Sequence, residues 1–290
     1  MEQQTLAQSF ALEGVGMHTG APCRVVVHPA GPDIGRVFLV GRVRVPARAD
    51  YVVDTMRSTT LGHEGACIRT VEHLLSALYG CGVDNALIEV TGPEIPILDG
   101  SAAPFAEAIL AVGLEQQGRA PRALALCECI EVQEGASRLA ARPAPALTLD
   151  VATEFAEWPE GRACQHGQIG PEWAARYAAE IAPARTFAFH QEVERILAAG
   201  LAKGGSLENA LVITPPQGFS TALRLPAEWC AHKLLDVIGD LALTDARLAL
   251  HLDALRPGHR INTLLARRLL TLLDEETQSA CAQAKKGDNA

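Results

Sequence analysis

His232 and Asp236 stand four residues apart in AHKLLDVIGDL, a stretch with helical apolar spacing, so an imidazole and a carboxylate project from one face of one helix. That pair can hold one Zn²⁺, or it can be a plain His–Asp contact without metal. Asp240, two turns on from His232, lies on roughly the same side, and carboxylates near a core must be paired or ligated. Glu72–His73 opens the apolar run RTVEHLLSALYG (69–80), where an acid can simply answer the helix dipole. Should His73 meet His232 and Asp236, the three form a His2Asp set. Three protein ligands with an open fourth position is the pattern of catalytic zinc, and Glu72 then stands beside the metal as a candidate base.

Other segments have a chemical and a plain reading. His259 follows Pro257 and Gly258 at a helix start, which disfavours its charged form unless a carboxylate such as Asp240 offsets this; the alternative is a capping histidine. GVGMHTG (14–20) sets His18 between glycines, a polar tip or an ordinary hairpin. KGGS (203–206) can cradle phosphate with backbone N–H groups but lacks the Walker spacing. ARTF (184–187) puts Arg185 and Thr186 beside an aromatic, as any strand end can.

These residues need elements to hold them. CRVVVHPA (23–30), GRVFLVGRVRVPA (35–47) and NALIEV (85–90) read as strands. Residues 69–80 read as a helix capped by Thr70, and 101–114 as a second, capped by Ser101. QQGRAPRA (116–123) reads as a linker. Beyond it, strands are expected at 129–135, 137–144, 147–155, 184–189, 209–213 and 246–255, with helices at 171–181, 191–201, 226–243 and 258–277. Residues 154–170 read as the least regular segment, a loop over a site. Each half runs strands, helix, strand, helix. The fold class is α+β, with two domains of similar layered sheet-and-helix architecture, 1–118 and 124–280, and the active site between them.

Composition narrows the class. The 290 residues are 48% hydrophobic, 20% charged and 4% aromatic, which excludes a disordered chain and implies a core of Leu, Val, Ile and Ala. Net charge is −9 with no basic patch beyond Lys285–Lys286, which argues against nucleic acid as a partner. Eight cysteines form no CxxC and read as free thiols in a reducing compartment. No signal peptide and no apolar run of about 18 residues is visible, so the expected location is cytoplasmic.

GVGMHTG (14–20), RTVEHLLSAL (69–78), DNALIEVTGPEIPILDGSAAPF (84–105), ARTFAF (184–189), GLAKGGS (200–206), HKLLDVIGDL (232–241) and Gly258–His259 occur together in one order. In this the chain resembles the zinc-dependent UDP-3-O-acyl-N-acetylglucosamine deacetylases of lipid A synthesis. The resemblance implies His73, His232 and Asp236 as zinc ligands, Glu72 as general base, His259 as general acid and Asp240 as its orienting partner. It implies Lys233 and Thr186 around the reacting carbonyl, and His18, Phe187 and Gly205 in the substrate surroundings. It further implies Zn²⁺ as cofactor and a UDP-linked acylated glucosamine as substrate. A monomer that touches the inner membrane only transiently is expected, with 154–170 forming a passage for the acyl chain. Departures are Ala231, Met17, Arg57 and Ser58, and Arg142 is considered for a diphosphate contact. The other readings are a paralogue acting on another amino sugar and a metal-bearing regulatory homologue without turnover.

Overall fold

The computed structural model describes residues 2–156 and 158–287, without the side chains of 171 and 276–287, so Cys281 and Lys285–Lys286 lie outside the described side chains. The described residues form six α-helices: α1 (Glu72–Gly80), α2 (Ala103–Val112), α3 (Ala174–Glu180), α4 (His190–Ala198), α5 (Glu228–Leu241) and α6 (His259–Gly287).

The β-branched runs of the first half pair into a five-stranded sheet. Its spatial order is Phe10–Val15, Pro22–Pro29, Ala86–Thr91, Arg36–Val40, Val43–Pro46. The second half repeats the order with Ile130–Glu134, Ser137–Pro143, Arg247–Leu255, Leu147–Phe155, Trp158–Ile169. Ala123–Ala125 adds a parallel sixth strand to Arg247–Leu255. In both sheets the last strand in sequence sits at the centre, antiparallel to the second and parallel to the third. In both, a helix precedes that central strand (α1, α5) and another follows it (α2, α6). The α+β class and the likeness of the halves therefore hold at the level of topology.

Helices α1 and α5 are apolar on nearly every side, which suits a helix covered all round. Every residue of α1 is buried, and every residue of α5 but Lys233. The two helices pack on each other, and α5 rests on the strands Leu147–Phe155 and Trp158–Ile169. They cross so closely at Gly239 that a Cβ there would lie 2.1 Å from the Glu72 carbonyl oxygen. Arg36 donates to the Ala242 carbonyl and Arg247 reaches Asp84, tying one half to the other. Gly239→Ala is expected to force the helices apart, costing about 1–3 kcal/mol as overpacking does. A thermal melt indistinguishable from that of the wild type would contradict this contact.

Three expectations need correction. Residues 154–170 are not a loop: Trp158–Ile169 is a twelve-residue strand paired along Leu147–Phe155. Thr70 does not cap α1, which starts at Glu72; Thr70 has φ +59 and its hydroxyl donates to Glu94. The strand expected from residue 129 starts at Ile130, so Cys129 stands just outside it. The seven described cysteines are free thiols.

Candidate active site

The crossing of α1 and α5 brings polar side chains into an apolar layer. His73 projects from the first turn of α1, and His232 and Asp236 from one face of α5. His232 Nε2 lies 3.4 Å and His73 Nε2 3.9 Å from Asp236 Oδ1, and the two rings meet edge-on with centroids 5.0 Å apart. One ligand atom from each residue lies within 4.8 Å of the other two.

The donor set fits a divalent metal ion. His232 Nδ1 donates to the Ala184 carbonyl at 3.0 Å, which leaves the Nε2 lone pair bare. Burial first, then His232, pushes His73 down to about 3, so it is neutral at pH 7. Burial also lowers His232. Burial would raise the Asp236 carboxyl, but His232, Lys233, His259 and His73 hold it below the usual range. Its Oδ2 accepts from Lys233 Nζ at 2.8 Å, while its Oδ1 is buried without a hydrogen-bond partner. A buried carboxylate oxygen with no donor is costly. Beside two imidazole lone pairs, a cation satisfies it.

Two proton-carrying groups flank this set. Glu72 Oε2 accepts from the Thr59 N–H at 2.9 Å. Burial, together with Asp236 and Asp240 and against the pull of His259, raises Glu72 to about 7. His259 opens α6; its Nδ1 is 3.0 Å from Asp240 Oδ2 and its Nε2 4.0 Å from Glu72 Oε1. Burial and the helix N-terminus both oppose its charged form. Asp240, Glu72 and Asp236 outweigh burial and raise it to about 9.

Beside these groups is an apolar cavity of about 320 Å³. His18, Thr186, Phe187 and Gly205 line it, together with Ile196 and Leu197 of α4 and Val212 from the neighbouring strand. Phe187 also stands edge-on to His232 at 6.3 Å, and Lys233 Nζ lies 5.5 Å from the Phe187 ring centre. The cavity's lining contains no residue of 154–170; it draws instead on Phe187, Ala188, α4 and Val212. The sequence reading missed α4's apolar face, although Val193, Ile196 and Leu197 recur at helical spacing.

KGGS is not a phosphate cradle. Lys203 N–H donates to the His18 carbonyl, Gly204 to Met17, Gly205 to Ala202, and Ser206 to Asn209 Oδ1. The segment instead clamps the 14–20 turn. Gly204 is required there, because a Cβ would lie 2.3 Å from the Gly16 carbonyl oxygen. Glu94 holds the same turn by accepting from the backbone of His18 and Thr19. Arg185 is engaged with buried Glu228.

A second grouping, Asp150, His251 and Asp253, has ligand atoms equally near but lies on the outward face of the second sheet, at least partly exposed. There Asp253 pairs with Arg142 and Asp150 with His166. Arg142 therefore lies in that patch, not with the buried set.

The chain matches the family described as UDP-3-O-acyl N-acetylglycosamine deacetylase over residues 3–271. It is 39% identical over 279 residues to the UDP-3-O-acyl-N-acetylglucosamine deacetylase of Myxococcus xanthus strain DK1622, covering 93% of this chain and 86% of that protein. It is 41% identical over 276 residues to the protein of the same description from Anaeromyxobacter sp. strain Fw109-5, covering 92% and 88%. To that of Thermosynechococcus vestitus it is also 41% identical over 276 residues, covering 92% and 93%.

Proposed function

The chain belongs to the UDP-3-O-acyl N-acetylglycosamine deacetylase family, and from that premise we propose which of its side chains carry the reaction. The protein is a hydrolase that removes the acetyl group of UDP-3-O-acyl-N-acetylglucosamine in lipid A biosynthesis. His73, His232 and Asp236 hold a divalent ion, which we assign as Zn²⁺. The observation that carries this assignment is the unpartnered Asp236 Oδ1 beside two bare imidazoles. When bound there, such an ion acidifies a water and polarises the amide carbonyl.

Glu72 takes the proton from the attacking water as its oxygen bonds to the acetyl carbon. His259, as imidazolium, gives its Nε2 proton to the amide nitrogen as the C–N bond breaks, so that acetate and the glucosamine amine leave. Asp240 holds the charged ring. Thr186, from the cavity lining, and Lys233, bonded to Asp236, bring a hydroxyl and an ammonium to support the developing oxyanion. The cavity bounded by Phe187, Ile196 and Leu197 suits the substrate's acyl chain, with His18 and Gly205 against the sugar end.

We take 1–118 and 124–280 as the two domains, since each contains one sheet of the same order. We also place the protein in the cytoplasm as a monomer. Among the described residues no helix is long and apolar enough to cross a membrane. Leu197 and Leu207, half exposed at the cavity, suit transient contact with the inner membrane where a lipid-tailed substrate is collected.

The test is to incubate the purified protein with UDP-3-O-acyl-N-acetylglucosamine and follow acetate; an intact substrate at the end of it would sink the assignment. A pH profile adds a check on the acid. Because His259 must carry its proton, kcat should fall as pH rises through about 9, and His259→Gln should be slow and lack that basic limb. A basic limb that survives in His259→Gln would assign it to another group.

A further inference from the structure

Glu72 and Asp240 stand on helices from different halves of the chain, yet one residue bonds to both. Thr59 is fully buried just before the strand Thr60–His63. Its N–H donates to Glu72 Oε2 at 2.9 Å and its hydroxyl to Asp240 Oδ1 at 2.6 Å. The other Asp240 oxygen, Oδ2, accepts from His259 Nδ1 at 3.0 Å and from Asn262 Nδ2, one turn along α6, at 2.9 Å. A carboxylate turns readily about its last torsion. Here a neutral donor on each oxygen fixes its plane, and the direction open to the His259 ring is fixed with it.

We propose that Thr59 and Asn262 are positioning residues for the proton transfers. They lock the Asp240 carboxylate, and through it they aim His259 Nε2. Thr59 also sets the spacing between base and acid, since one residue bonds Glu72 through its backbone and Asp240 through its side chain. The proposal rests on the reading of His259 as acid and Glu72 as base. Neither Thr59 nor Asn262 gives or takes a proton. In the step they serve, the Nε2 proton passes to the leaving nitrogen while Nδ1–H stays bonded to Asp240.

The geometry separates two effects within Thr59. Thr59→Val keeps shape and backbone N–H, so Glu72 stays held while Asp240 loses one of its donors. Thr59→Ser keeps the hydroxyl. Asn262→Leu removes the other neutral donor at similar volume.

The experiment is steady-state kinetics of these variants, of His259→Gln, and of the Thr59→Val/His259→Gln double variant, all metal-loaded and full length. Metal content and thermal melts are recorded beside the rates. Thr59→Val and Asn262→Leu should each lower kcat by roughly 10–100-fold, as loss of an orienting partner usually does. KM should change little, Thr59→Ser should recover most of the rate, and the basic limb should move to lower pH. In the His259→Gln background, Thr59→Val should cost little more, because groups acting as a unit are not additive. An equal loss in that background, or a loss of rate that tracks loss of metal or of fold, overturns the positioning role. If His259→Gln is crippled while Thr59→Val is not, the positioning role alone falls. If His259→Gln turns over at the wild-type rate, the acid assignment falls and the proposal with it.

Discussion

Glu72→Gln should retain its metal and its fold yet lose on the order of 10²–10⁴ in kcat. The substitution is nearly isosteric, and the amide can still accept the Thr59 N–H through its oxygen. What it cannot do is take a proton from water. Burial raises the Glu72 carboxyl, so its anion is a stronger base than an exposed glutamate. Glu72 Oε1 and His259 Nε2 lie 4.0 Å apart, close enough for both to reach one reacting centre beside them. The measurements are acetate release and metal content. A Glu72→Gln enzyme with full metal and undiminished turnover would remove Glu72 from the mechanism.

Stripping the metal with a chelator should reduce turnover by on the order of 10³ or more, since a Lewis-acidic ion supplies several kcal/mol of transition-state stabilisation. Returning Zn²⁺ should restore it. Asp236→Ala should mimic the chelator irreversibly, because it removes a buried carboxylate oxygen that has no hydrogen-bond partner. The metal-free wild type should remain folded, since α1 and α5 are covered by apolar neighbours on almost every side. Acetate release at the full rate by protein verified as metal-free would end the metal reading.

The site was legible because its chemistry is written on helices. A His and an Asp four apart share a face whatever surrounds them, so His232 and Asp236 could be paired from spacing alone. Glu72 and His73 stood out as charge at the front of an apolar run. That His73 reaches α5 depends on two halves packing, which no local pattern states; the family resemblance supplied it. Thr59 was invisible for the same reason: its partner Asp240 is 181 positions away, and a threonine in MRSTTL reads as turn or strand.

The fold was legible where alternation was strong, as in Pro22–Pro29 and Arg247–Leu255. It failed at Trp158–Ile169, where Gly, Gln, His and Cys have no consistent β preference. That strand lies at a sheet edge, half solvated, and its conformation comes from ladder bonds to Leu147–Phe155 rather than from its own side chains. Thr70 failed in a related way. Its hydroxyl serves Glu94, 24 residues on, so a residue that usually starts a helix here anchors a distant turn.

On this assignment the working parts appear in translation order: base and first ligand on α1, the remaining two ligands on α5, and the acid at the start of α6. A ribosome-bound chain therefore has its base and metal ligands before it has its acid. Premature termination before residue 259 would remove the acid together with the helix that packs on α5.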